Sequence, residues 1–150
     1  MLQNAMNTVF LLGLVGLLGT ELRADVEVIE LDMQPWYEAE DRAVARELVS
    51  PRNSSAQAMS IAEIVVPPGV AVRPHHHVME EVYHVLEGEG VMMVEDQTRV
   101  VMPGDSVVIE PHEWHNIRND GESPLRMFVT CAPAWAPEHL IFERERMPEE

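Results

Sequence analysis

The stretch from residue 69 to residue 88, GVAVRPHHHVMEEVYHVLEG, constrains the chain more than any other. His75 and His77 are separated by one residue, and Glu81 follows four positions after His77. In an extended strand, residues two apart face the same side, so His75 and His77 can aim both imidazoles at one point. A turn over residues 78–80 and a returning strand would bring the Glu81 carboxylate to that point, with Glu80 as the alternative. Two nitrogens and one oxygen leave a first-row divalent ion short of ligands. A third imidazole is therefore expected from elsewhere, and His115 is the best candidate.

From residue 59 onward, short apolar-rich runs alternate with turn signals. Predicted strands cover residues 59–66, 70–77, 81–87, 90–94, 98–101, 106–109, 115–118 and 125–131. Pro67-Pro68-Gly69, Glu87-Gly88 and Pro103-Gly104-Asp105 are among the breaks between them. This spacing argues for an all-β sandwich or barrel. Upstream, residues 26–31 alternate apolar and polar and read as a first, edge strand. Residues 35–41 read as loop. Residues 43–49 have a helical composition, ended by Ser50-Pro51. The tail from residue 132 should run over the surface, with residues 139–142 pinned back on the barrel.

The spacing resembles the cupin superfamily. Gly69, five residues, His75-x-His77, three residues, Glu81, six residues and Gly88 are similar to the first cupin motif without a gap. Gly104-Asp105, Ile109, His115 and Asn119 resemble the second. Glu110 stands where the family usually carries Pro and His112 where it usually carries Gly, so the shape of this loop departs from the pattern. The likeness runs from about Ile61 to Val129 and is to small single-domain cupins, including mannose-6-phosphate isomerase-like ones. It implies a double-stranded β-helix, or jelly-roll, barrel at about residues 59–131. That barrel would lie within one domain spanning 25–150, with N- and C-terminal extensions. It also favours extended structure at 43–49, prefers Glu81 to Glu80, and implies that His75, His77, Glu81 and His115 hold one divalent transition metal. A homodimer is implied too, in which strand 26–31 could be exchanged between subunits.

Three imidazoles and one carboxylate, without sulfur, suit Mn, Fe, Ni or Zn. On an octahedral ion they leave two adjacent positions for water, dioxygen or a chelating substrate. The expected function is a metal-dependent enzyme of dioxygenase, isomerase or decarboxylase type, acting on a small oxygen-rich or carboxylate-bearing molecule. The alternative is a non-catalytic cupin that binds or senses a sugar or acid. Strand parity sorts the remaining candidates. Arg73 shares the face of His75 and His77 unless Pro74 breaks the parity and turns it to solvent. Tyr83 shares the face of Glu81, as pocket wall or core, and leaves His84 outside. Asn119 lies with His115 and is a candidate partner of the centre. His112 is either a solvated loop residue or close enough to assist. Met79, Met92, Met93, Met102 and Met127 read as adaptable core filling.

The formal net charge is −16, and all ten basic residues are Arg. Such a surface repels nucleic acid and anionic lipid. The single Cys131 excludes an intrachain disulfide and a thiolate-rich zinc site, and its apolar surroundings suggest a buried, inert thiol. Residues 9–18, VFLLGLVGLL, are too few to span a bilayer, which needs ~20, but suit the apolar core of a signal peptide cleaved after Ala24. No Lys or Arg precedes this run, and Leu22 is larger than the usual residue at its position. Residues 1–24 are thus expected to be a signal peptide or hydrophobic anchor, with a helix packed on the domain or a partner subunit as the rival. A signal implies export to the periplasm or medium; otherwise the chain is cytoplasmic. Membrane contact is expected only through this segment, if uncleaved.

Overall fold

Strict alternation shapes the longest strands. Glu81, Tyr83 and Val85 are buried along Glu80–Glu87, and Leu125, Met127, Val129 and Cys131 along Leu125–Ala132. The intervening residues are more exposed, the signature of a strand with one face on a core. The computed structural model describes residues 25–142. Its strands are β1 (Tyr37–Glu38), β2 (Val44–Val49), β3 (Ser60–Val66), β4 (His75–His76), β5 (Glu80–Glu87) and β6 (Gly90–Val94). They continue with β7 (Gln97–Val101), β8 (Ser106–Ile109), β9 (His115–Arg118), β10 (Leu125–Ala132) and β11 (Ile141–Phe142).

Two antiparallel sheets result, one in the order β1-β2-β3-β10-β5-β8 and the other β11-β4-β9-β6-β7. They enclose a core that includes Val66, Met79, Ile109, Ile117, Leu125 and Met127. This is the expected all-β jelly-roll barrel. The only helical elements among the described residues are two short 3-10 turns, and no helix there is long and apolar enough to cross a membrane. Residues 1–24, with the apolar run 9–18, lie outside the described residues.

Strands β6, β8 and β9 occupy the predicted positions. The strand expected at 26–31 does not form: Val26 and Val28 are exposed, and a 3-10 turn begins at Leu31. Alternation alone is insufficient where no neighbouring strand supplies a packed face. The short β1 falls instead in the expected loop, and β2 is extended rather than helical because it pairs along β3. The predicted strand 70–77 shrinks to His75–His76, since Pro74 has no N–H to give a ladder. Its first half still tracks β9, through Gly69 N–H to Asn119 O and Val72 N–H to Ile117 O, both 2.9 Å. The C-terminal segment does return, with Ile141 paired to His76 and Phe142 to His75. Met102, expected in the core, is exposed.

The β3 residue Glu63 is buried beneath two arginines. Its Oε2 lies 2.6 Å from Arg46 Nη2, its Oε1 accepts Arg126 Nε–H, and Trp36 stacks on Arg46. Burial raises the Glu63 pKa, but the hydrogen bonds and charges of Arg126 and Arg46 outweigh it and hold the carboxyl below its ordinary range. A carboxyl with a depressed folded pKa stabilises the fold above its unfolded value of ~4.3 and loses that stabilisation as pH falls through the lower folded value. Glu63→Gln is expected to cost roughly 1–2 kcal/mol near neutral pH, discounted because Arg126 is partly exposed. The variant should also show a shallower loss of stability on acidification. Urea midpoints measured across pH check this, and parallel acid limbs in parent and variant would contradict it.

Candidate metal centre

Four side chains converge inside the barrel. His75, His77, Glu81 and His115 are all buried, and their ligating atoms lie within 4.8 Å of one another. His77 Nε2 is 2.8 Å and His115 Nε2 is 3.1 Å from Glu81 Oε2. The rings of His75 and His115 are 4.3 Å apart, as their cross-strand pairing between β4 and β9 requires.

Each imidazole is oriented by a nearby backbone carbonyl. Nδ1 of His75 meets Arg73 O at 2.7 Å, that of His77 meets Met79 O at 3.0 Å, and that of His115 meets Glu113 O at 2.8 Å. A carbonyl only accepts, so each Nδ1 carries the proton and each Nε2 is left to face the interior. The His115 Nε2 is fully buried without a hydrogen-bond partner. Bare nitrogen lone pairs against a carboxylate repel unless a proton or metal ion lies between them. The donor set therefore fits a divalent transition ion, with the carbonyls acting as the outer partners that fix ligand orientation.

Local sequence explains the placement. Pro74 limits pairing before His75, and His112 N–H donates to His77 O at 2.7 Å, tying the second loop to the first. Trp114 and Glu95 are linked in both directions, through Trp114 N–H to Glu95 Oε1 and Glu95 N–H to Trp114 O, which delivers the chain into His115. His112 has φ +71°, in the left-handed region that favours glycine. Its backbone thus does the work expected of the glycine it replaces.

The electrostatics agree with a cation-binding site. Burial, then the neighbouring His115, pushes the His75 pKa down to about 4, keeping this imidazole neutral. Burial alone would raise Glu81, but the close approach of the His115 and His77 imidazoles prevails and holds the carboxyl at about 2. Burial would lower His77, yet the Glu81 hydrogen bond and charge raise it. Cys131 is the cross-strand partner of Glu81, and its Sγ lies 3.4 Å from Glu81 Oε1. Burial, then the Glu81 charge, pushes this thiol well above its ordinary range, so it is a hydrogen-bond donor and no nucleophile.

The remaining candidates fall in different places. Tyr83 is buried, its ring 6.1 Å from that of His115, and burial followed by the charge of Glu81 keeps its phenol protonated. Arg73 is at the rim: it is exposed, stacks 4.3 Å over Phe142, and reaches Glu40 at 3.4 Å. Phe142 in turn lies edge-on to His75, a contact that sequence reasoning missed because it joins strands far apart in the chain. His112 takes the solvated-loop reading. Its exposed ring sits 5.9 Å from that of His76, and it helps through its backbone only.

Asn119 serves the following loop. Its amide does face inward, but it donates to Val66 O and Ser123 O at 2.8 Å and accepts from Gly121 N–H at 2.9 Å. Both of its N–H donors are thus spent on loop carbonyls. Asn119→Ala should therefore destabilise the fold by about 2–3 kcal/mol, because buried backbone groups lose their partners. Metal uptake should not change, as equilibrium unfolding and metal analysis of the same sample will test.

A match to the cupin domain family covers residues 62–131. The uncharacterized protein MJ1618 of Methanocaldococcus jannaschii is 34% identical over 110 residues, covering 73% of this chain and 88% of that protein. The oxalate-binding protein of Thermotoga maritima is 33% identical over 83 residues, 55% of this chain and 69% of its own. The polyketide cyclase RemF from Streptomyces resistomycificus shares the fold with a TM-score of 0.68 at 20% identity, over 80% of this chain and 87% of its own.

Proposed function

The chain belongs to the cupin superfamily, and we propose that it is a metal-dependent enzyme acting on a small oxygen-rich or carboxylate-bearing molecule. The supporting observation is the convergence of three carbonyl-oriented Nε2 atoms and the Glu81 carboxylate on one buried point. In this reading His75, His77, Glu81 and His115 hold one Mn, Fe, Ni or Zn ion per chain. Such an ion supplies Lewis acidity toward a chelating carbonyl or a site for dioxygen, which is the chemistry of isomerases and decarboxylases or of dioxygenases. The chain's own residues keep the centre dry and ordered. Tyr83 and Ile109 wall it, Cys131 donates to the outer oxygen of Glu81, and Phe142 shields His75 at the rim.

Non-catalytic ligand binding is the second reading, favoured by the likeness to the oxalate-binding protein of Thermotoga maritima. Two further parts of the proposal are a homodimer, for which Trp36 and Tyr37 offer exposed apolar surface at the β1 edge, and export of the chain through residues 1–24.

Elemental analysis of the full chain, purified without an affinity tag, tests the proposal. About one ion per chain is expected, lost in His75→Ala and in Glu81→Ala. Oxygen uptake or product formation with the loaded protein separates the enzyme from the binder. A chain that neither carries nor takes up metal defeats the enzyme reading and leaves the binding one.

A further inference from the structure

A cavity of about 310 Å³ lies between the free edges of the two sheets, where β7 faces β8. Met92, Val94, Gln97, Arg99 and Val107 line it. Register places Arg99 opposite Met92 and Gln97 opposite Val94, so both polar residues, though exposed, lie on the cavity-facing side of β7. Val94 is also the partner of His115, and Val107 that of Tyr83. The four candidate ligands do not line this cavity, but it is one cross-strand pair away from them.

Arg99 differs from most of the described arginines. Arg46, Arg52, Arg73, Arg118 and Arg126 each hold a carboxylate. Arg99 holds none among the described residues, although the chain carries 26 acidic side chains against 10 basic ones. Two acids also line the cavity and keep their charge: Glu95 accepts Trp114 N–H and Glu113 accepts Glu110 N–H, both at 2.8 Å, and neither pairs with Arg99, which must hold an entering anion against them. An unpaired guanidinium beside an amide and three apolar side chains has the chemistry of a carboxylate site with a short carbon body.

We propose that Arg99 binds the carboxylate of a small organic acid in this cavity, with Gln97 beside it and Met92, Val94 and Val107 against its carbon atoms. The volume is near the lower limit of small-molecule sites, which run from ~300 Å³, so the acid has only a few carbons. The inference deepens the proposed function and rests on it for what happens at the far end of the acid. The anion contact itself needs no metal, and that makes the two separable.

The test uses the ¹⁵N-labelled full chain, chelator-treated or Zn-loaded, titrated with lactate and with malate. The arginine Nε–H signals are followed, and Arg99→Gln identifies the cross-peak of Arg99. At least one acid is expected to shift that peak in both preparations. Arg99→Gln should weaken its binding about tenfold or more, Arg99→Lys less, and the metal content of both variants should equal the parent's. An Arg99 peak that ignores both acids at millimolar concentration, or an Arg99→Gln variant that binds as tightly as the parent, would overturn the proposal. A chain that takes up no metal while Arg99 still responds would overturn only the metal-centred function.

Discussion

Gly88→Ala is expected to destabilise the barrel by roughly 3–5 kcal/mol, the largest loss from adding a single methyl group considered for this chain. Two independent costs combine. Gly88 has φ +76°, where an L side chain costs ~1–2 kcal/mol. A Cβ there would also lie 2.5 Å from Pro124 O and 3.0 Å from Leu125 Cα. Both obstacles are backbone, at the start of β10, so relief requires moving the strand that carries Cys131 against Glu81. Gly69→Ala is the control: its φ is +72°, but an added Cβ meets nothing within 4 Å. It should cost only the conformational part, about 1–2 kcal/mol. Urea midpoints of the two variants separate the costs, and equal losses would show that the close approach to β10 is not resisting.

His115→Ala is expected to abolish stabilisation by metal. An ion that binds only the folded chain adds about 4 kcal/mol at a thousand times its dissociation constant. Removing an outer-sphere partner of a metal typically weakens binding about 10–100-fold, and removing one of three imidazoles should exceed that. The parent's thermal midpoint should therefore rise on addition of Zn(II) or Mn(II), while that of His115→Ala stays nearly constant. His84→Ala is the matched control, because His84 points outward to Ser106 Oγ at 2.9 Å. A His115→Ala protein that responds to metal as the parent does would place the ion elsewhere.

The part of this site that was legible in the sequence is the part governed by local period. His75-x-His77 and the return to Glu81 follow from residues two apart sharing a face, and burial of all four candidate ligands agrees with it. Parity also put Asn119 on the inner face correctly. It could not say how far along the barrel the amide sits, or that the loop at 119–123 would claim its hydrogen bonds. The sequence left His112 open between solvated loop and assistance, because it does not show that the turn uses the residue's backbone angle. At 26–31 the alternation was real but lacked a neighbour. The contacts of Phe142 with His75 and of Cys131 with Glu81, and the cavity position of Arg99, were invisible because they come from cross-strand partners distant in the chain.

The three imidazoles share one device, a proton directed to a carbonyl two residues away in the same segment. No side chain outside the quartet takes part, so no single side-chain replacement around the cavity removes those hydrogen bonds directly. The coordination geometry and the substrate-facing wall can therefore vary separately. In evolutionary terms the barrel is modular at atomic scale: the wall can drift toward new ligands while the metal cage keeps its shape.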